Sequence, residues 1–286
     1  MGLELLFVGT GTSAGVPMIG CQCSVCTSDD PHNQRSRASA IVRYPDLTGN
    51  TEINTRQWLI DTTPELRLQM VGHKIDRLDG VFYTHNHADH VFGLDDLRRF
   101  NVVMQAPLDL YAEPRVIKWF HNSFPYIFEP HKNINQSFIP ELIMHPIEPG
   151  SPLEFHGATW TPLRLLHGKL EILGFRVDYQ DQSLAYCTDV SAIAPETWPL
   201  LQDLDLLVLD ALRFRHHPTH LTINQALEVV DQVRPRQTYF THMSHEIDHQ
   251  SVDEQLPDGV NLSYDGLRID VVALKQEHLK QTSSGD

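Results

Sequence analysis

Within Tyr83-Thr84-His85-Asn86-His87-Ala88-Asp89-His90, four side chains of metal-binding type occupy six consecutive positions. Imidazole and carboxylate donors suit zinc, manganese or iron, and residue type alone does not choose among them. In an extended stretch His85 and His87 point the same way, because side chains alternate with period two. As the chain turns into a helix, Asp89 and His90 can address a second point nearby. Such a segment, at the C-terminal end of a strand, suits two divalent cations about 3.5–4 Å apart. Two cations sharing a carboxylate lower the pKa of a water and stabilise charge on a phosphoryl group under attack. The chain has no Gly-x-Ser-x-Gly elbow, in keeping with hydrolysis that needs no covalent protein nucleophile.

A pair of cations requires further donors, and three apolar runs end in suitable ones. His167 follows Leu163-Arg164-Leu165-Leu166, Asp189 follows Leu184-Ala185-Tyr186-Cys187-Thr188, and His242 follows Tyr239-Phe240-Thr241. A separate cluster, Gly20-Cys21-Gln22-Cys23-Ser24-Val25-Cys26, crowds its thiols too closely for unstrained disulfides. Zinc thiolate coordination suits the spacing, but a tetrahedral site needs a fourth ligand. His245, three residues after His242, can face the other way and is the expected fourth. Three reduced structural cysteines beside an exposed histidine stay open as the alternative. Cys187, two positions before Asp189, reads as a buried strand residue.

These residues need a scaffold that ends strands in His and Asp. Leu3 to Val8, Trp58 to Ile60, Gly80 to Tyr83 and Leu206 to Leu209 read as strands. Helical patterns cover Pro64 to Val71, Asp89 to Val102, Pro195 to Gln202, and Thr222, a good N-cap, to Val233. Gln180-Asp181 and Asp265-Gly266 read as hairpin turns. The alternation gives a layered α/β protein. No internal repeat or Pro/Gly/Ser-rich linker divides it.

The order His-x-His-x-Asp-His, then His, Asp and His, resembles the metallo-β-lactamase superfamily over nearly the whole chain. The resemblance implies a four-layer αβ/βα sandwich with the active site at one edge of the two sheets, over residues 1–274, followed by a polar tail, 275–286. It implies that His85, His87 and His167 hold one metal, that Asp89, His90 and His242 hold the other, and that Asp189 bridges them. Asp61, in Leu59-Ile60-Asp61-Thr62-Thr63, resembles the acidic residue that supports the ligands from behind. The opening Gly9-Thr10-Gly11-Thr12-Ser13-Ala14-Gly15-Val16-Pro17, the cysteine loop and Thr241-His242-Met243-Ser244-His245 together resemble a narrower group. This is the phosphoribosyl 1,2-cyclic phosphate phosphodiesterase family, which carries a separate zinc on three Cys and one His. Here the Gly-Thr-Gly segment reads as a tight turn near the metals, since it lacks the Gly-Lys-Ser/Thr ending of a nucleotide P-loop. His220, in Arg215-His216-His217-Pro218-Thr219-His220, resembles the family's phosphate-contacting histidine. Catalysis is therefore expected to turn on Asp89, Asp189 and His220. His216 or His217 stands as a substitute for His220, and Arg213 as a contact for an anionic group.

The formal net charge is −15 with no basic cluster, which disfavours nonspecific nucleic-acid binding through phosphates. Bound cations would reverse the sign locally for a small phosphorylated substrate. The N-terminus is too short and uncharged for a signal peptide, and no apolar run reaches transmembrane length. A cytoplasmic, reducing location follows, consistent with metal-binding rather than disulfide-bonded cysteines. The expectation is a metal-dependent phosphodiesterase acting on a small cyclic or nucleotide-like diester, with two zinc or manganese ions and one structural zinc. Nucleic acid and membrane partners are not expected, and a homodimer is admitted. A tRNA 3′-processing endonuclease, a thioester or β-lactam hydrolase and a non-catalytic ligand-binding module are the alternatives. Phe120, Phe124, Tyr126 and Phe128 could stack on a base or fill the core.

Overall fold

Runs rich in β-branched and aromatic residues form two sheets in the computed structural model, which describes residues 2–49, 54–129, 131 and 138–276. The first sheet has seven strands: β1 (Glu4–Gly9), β2 (Ser39–Pro45), β3 (Thr55–Ile60), β4 (Gly80–Phe82), β5 (Leu108–Ala112), β6 (Leu142–Pro146) and β15 (Arg268–Asp270). Their order is β15-β1-β2-β3-β4-β5-β6, antiparallel as far as β3 and parallel from there to β6. The second sheet has eight: β7 (Leu153–Phe155), β8 (Ala158–His167), β9 (Leu170–Tyr179), β10 (Gln182–Cys187), β11 (Ala192–Ile193), β12 (Leu206–Asp210), β13 (Gln237–Thr241) and β14 (Val260–Leu262). It is antiparallel through β11-β8-β9-β10 and parallel through β10-β12-β13-β14.

Parallel strands bring their C-terminal ends to one edge, where ligands of α/β sheets gather. Asp61 follows β3, His85 lies just beyond β4, Asp189 lies just beyond β10, Asp210 ends β12 and His242 follows β13. His167, the last residue of β8, reaches the same edge.

The inner faces of the sheets bury one apolar cluster. In it Phe82 and Trp160 stack with ring centroids 4.2 Å apart, and Trp160 donates its indole N–H to the Tyr44 hydroxyl at 3.2 Å. The outer faces are covered by helices. On the first sheet these are α1 (Leu66–Gly72), α2 (Ala88–Val91), α3 (Arg98–Met104), α4 (Pro114–Ser123) and α5 (Pro125–Phe128), which share a second cluster with it. On the second sheet α6 (Ile223–Val233) and α7 (His249–Asp253) enclose a third. The result is the expected four-layer α/β sandwich. Thr222 caps α6 through a reciprocal capping box with Gln225, satisfying donors that the first helical turn leaves free. No helix among the described residues is long and apolar enough to cross a membrane.

Three local expectations are corrected. The helix expected from Asp89 to Val102 is broken: α2 stops at Val91, and a 3-10 turn over Leu94–Leu97 precedes α3. Gly93 sits so close to the neighbouring strand end that a Cβ there would meet the Thr63 carbonyl oxygen at 2.1 Å. The helix expected over Pro195 to Gln202 is a 3-10 segment, Pro195–Leu201. Pro199 inside it has no N–H for an α-helical bond. Asp265-Gly266 joins β14 to β15, which belong to different sheets, so it makes an inter-sheet turn and no hairpin. Lys275, the first residue of the expected tail, pairs with the Asp181 and Asp205 carboxylates at 3.2 and 3.6 Å, and residues 277–286 lie outside the described residues.

Candidate metal centre

The strand-end donors converge on two neighbouring points. His85, His87 and His167 form one group and Asp89, His90, Asp189 and His242 the other, with the donor atoms of each group within 4.8 Å of one another. His90 Nε2 lies 3.3 Å from Asp89 Oδ2 and 3.2 Å from Asp189 Oδ2, while His242 Nε2 lies 3.2 Å from Asp189 Oδ1. One carboxylate thus addresses two imidazoles through separate oxygens.

Arrangement around a shared cation explains these distances better than pairing among the side chains. Nε2 of His85, His90 and His242 is buried without a hydrogen-bond partner. Orphaned buried polar atoms are rare and costly, and here the His90 and His242 nitrogens lie 3.2 Å from Asp189 oxygens without hydrogen-bond alignment, while His85 groups with His87 and His167. Side chains arranged around a common ion have this geometry. The donor set of imidazoles and carboxylates fits a divalent metal.

Three of the histidines have the opposite ring nitrogen fixed by a neighbour, the usual arrangement for metal-binding histidines, whereas His242 Nδ1 is buried without a hydrogen-bond partner. His90 Nδ1 meets Asp61 Oδ2 at 2.7 Å, His85 Nδ1 meets the Thr84 hydroxyl at 2.9 Å, and His167 Nδ1 donates to the Thr219 carbonyl at 2.7 Å. Asp61 also accepts from the Thr84 N–H and hydroxyl, so one buried carboxylate orients the start of the histidine segment and its end. Asp61, Asp189 and His242 all have left-handed backbone conformations, with φ of 63°, 59° and 59°. For residues with a Cβ this is strained, and such strain gathers at functional sites.

Electrostatics follow the same division. Burial drives the His85 imidazole well below its usual range, leaving it neutral and able to donate a lone pair. Burial also pulls on His90, but the carboxylates of Asp189, Asp89 and Asp61 outweigh it and hold the ring well above that range. Burial opposes ionisation of Asp189, yet His242 and His90 keep it well below the carboxylate range. A cation at this point would take the place of the proton on His90, so that its binding would be coupled to proton release.

His220 also reaches the centre. It groups with His167 and Asp189 on one side and with Asp210 and His242 on the other, and its ring stacks on His242 at 4.7 Å. Its Nδ1 lies 2.7 Å from Asp210 Oδ2, leaving Nε2 to face the donors. Asp210 is fully buried, which pushes its carboxyl well above the usual range. Asp210 is the functional candidate that the sequence reading missed. Its only signal was an acidic residue ending an otherwise apolar strand, Leu206–Asp210. Of the neighbouring histidines, half-buried His217 stands 5.0 Å from His220 between ring centroids, whereas His216 is exposed. Arg213, expected as a contact for an anion, is engaged by the carbonyls of Arg215 and His216 and by Glu246. Phe120 is core, packed on Tyr83. Phe124 and Phe128 are half-buried, and Tyr126 donates its hydroxyl to Asp95 at 2.7 Å.

The cysteine loop comes together with His245 as a second, separate donor group. Cys21 Sγ and Cys23 Sγ lie 3.3 and 3.4 Å from His245 Nδ1, and Cys26 completes the cluster. The Cys26 backbone N–H and the His245 ring lower the Cys23 thiol to about 6, favouring the thiolate a metal requires, while burial raises Cys26 to about 11. Cys187 is fully buried, and burial pushes its thiol up to about 12, outside either cluster.

The beta-lactamase superfamily domain model matches residues 56–243. The chain belongs to the metallo-β-lactamase superfamily. A crystal structure described as a new diphosphatase from the PhnP family is 38% identical with a TM-score of 0.83, covering 94% of this chain and 97% of that one. An octanoyltransferase of Porphyromonas gingivalis is 36% identical over 267 residues, 93% of this chain and 51% of that protein. The chain thus spans about half the length of that curated relative. Zinc-bound PqqB from Methylobacterium extorquens shares the fold at 19% identity and a TM-score of 0.72, covering 93% of this chain and 99% of that one. As a superfamily member this chain resembles the PhnP family, and its His/Asp cluster has donor chemistry suited to divalent metals.

Proposed function

We propose that the centre hydrolyses a small phosphoric diester, cyclic or nucleotide-like, with two divalent cations, zinc or manganese. His85, His87 and His167 would hold one, Asp89, His90 and His242 the other, and Asp189 both. Such cations supply Lewis-acid activation of water and neutralise charge on the phosphoryl group. The observation that carries the reading is His220, which meets both donor groups at their boundary with one nitrogen held by Asp210 and the other free. Burial disfavours the charged ring, but in its doubly protonated form, with Nδ1–H held by Asp210, an imidazole so placed can give the Nε2 proton to a departing oxygen and become neutral, the step that alkoxide leaving groups need. Asp61 and the Thr219 carbonyl keep His90 and His167 aimed at the cations while the substrate binds. The cysteines and His245 hold a structural zinc, in keeping with a reducing, cytoplasmic setting.

Similarity to a protein described as a diphosphatase favours a second reading, attack on a phosphoanhydride. The attack at phosphorus is the same, but a departing phosphate needs less protonation. Half of the octanoyltransferase has no counterpart here, so its named activity carries no assignment to this chain. A net charge of −15 argues against a tRNA substrate.

The test is turnover by metal-reconstituted protein of bis(p-nitrophenyl) phosphate, a 2′,3′-cyclic nucleotide, a dinucleoside diphosphate, a thioester, a β-lactam and a precursor tRNA. Preference for a small diester supports the proposal, and preference for the diphosphate selects the second reading. Turnover of only the thioester, β-lactam or tRNA overturns both. Nucleotide binding with no turnover in the panel would indicate a sensor.

A further inference from the structure

An ion-pair cluster lies between the two donor groups and is used by neither. Glu246 directly follows His245, and its carboxylate holds two arginines of the loop that ends at His220. Arg213 Nη1 reaches it at 3.2 Å, Arg215 Nε at 2.9 Å and Arg215 Nη2 at 2.6 Å. The remaining donors of Arg213 turn inward, Nε to the Arg215 carbonyl and Nη2 to the His216 carbonyl, both at 3.2 Å. The loop is closed at its base, where Leu212 N–H donates to Leu221 and Ile223 N–H donates to Arg213, each at 3.0 Å. It is therefore braced from within by one guanidinium, and that guanidinium is anchored on Glu246.

The loop carries more than His220. Thr219, which receives His167 Nδ1 on its carbonyl, also contacts His217 Nδ1 through its hydroxyl at 3.1 Å. The other side of the clamp is the segment from His242 to Glu246. Ser244 N–H donates to the Leu212 carbonyl at 3.0 Å, and the Ser244 carbonyl accepts from buried Arg35 at 3.1 Å. Cys23 Sγ contacts the His245 carbonyl at 3.8 Å. Ion pairs on protein surfaces contribute little on their own. This one differs because the planar fork of Arg213 spans a carboxylate and two loop carbonyls, fixing direction as well as charge.

We propose that Glu246 is a positioning residue, coupling the cysteine–histidine cluster to His220 by clamping Arg213 and Arg215. The proposal rests on the reading of His220 as the donor to the leaving oxygen. The cysteine cluster then has a role beyond stability: by holding His245 it sets the place of Glu246, and through it the loop that aims His220 and His167.

The test combines hydrogen exchange of residues 213–221 with the ratio of turnover of 2′,3′-cyclic AMP, which expels an alkoxide, to that of bis(p-nitrophenyl) phosphate, which expels a phenolate. In Glu246→Gln the segment should lose protection at unchanged metal content, and the ratio should fall about tenfold, a partial loss of a proton donor's usual 10²–10⁴. Cys23→Ser should reproduce both changes, and Glu246→Asp should restore part of the ratio. Arg215→Gln, at a side chain 74% exposed and hence tolerant of change, gives a second route to the same result. Wild-type protection of 213–221 in Glu246→Gln, or a wild-type ratio with both substrates slowed alike, would overturn the proposal. If the unaltered protein turns over neither ester, the phosphodiesterase reading fails, while the exchange measurement still decides whether the clamp exists.

Discussion

Asp210 stands 2.7 Å from Nδ1 of His220, and this hydrogen bond decides which nitrogen of the imidazole faces the metal-binding donors. Held this way, His220 contributes through a proton at Nε2. His220→Ala should retain the metals and slow turnover about 10²-fold or more with poor leaving groups, and less with p-nitrophenolate. Asp210→Ala should move the rate the same way by a smaller factor, because the ring remains but is free to turn. Metal analysis beside kinetics on both substrate types checks this, and metal loss in His220→Ala would make the residue a ligand instead.

Asp61 supports the histidine donors from behind. Its carboxylate fixes His90 and Thr84 from a strained, fully buried position. Asp61→Ala should weaken metal binding by about 10–100-fold, the usual cost of losing such a partner. Competition against a chelator of known affinity measures it.

These two relationships show what the sequence could and could not display. His85, His87, Asp89 and His90 were legible because their donors are contiguous and their geometry follows from a strand entering a helix. His167, Asp189 and His242 were legible as strand ends. Asp210 was not, since its partner lies ten residues on and only the return of the loop brings them together. The left-handed backbones of Asp61, Asp189 and His242 carry no local glycine signal. The break after Val91 was hidden as well. It comes from the strand end at Thr62 and Thr63, which admits only Gly93. Asp265-Gly266 has the composition of a hairpin turn, and only the pairing of β15 with β1 places its arms in different sheets.

The cysteine cluster predicts a separable metal. Cys23→Ser should contain one fewer tightly bound zinc while keeping the metals of the histidine centre, and it should melt at a lower temperature. Elemental analysis with calorimetry checks both. Unchanged zinc content would show that the thiols bind none.

Acid sensitivity should be traceable to His249. The residue is buried against His32 and Tyr264, and its Nδ1 has no hydrogen-bond partner. Burial, with His32 and Arg35 nearby, lowers its pKa from 6.5 to about 4. The unfolded chain therefore takes up this proton first. Its contribution to stability is complete above pH 6.5 and is lost as the pH falls toward 4, at no more than about 1.4 kcal/mol per pH unit for one proton. His249→Phe should flatten the decline in melting temperature across that window, and a decline parallel to wild type would contradict the assignment.

The most direct measurement is hydrolysis of bis(p-nitrophenyl) phosphate by metal-stripped protein as zinc or manganese is titrated in, for the unaltered chain and for Asp189→Ala. The account predicts no turnover without metal, activity that saturates once the two sites of the histidine centre are filled, and neither full occupancy nor turnover in Asp189→Ala. Turnover by the stripped protein, or full activity in Asp189→Ala, would contradict it.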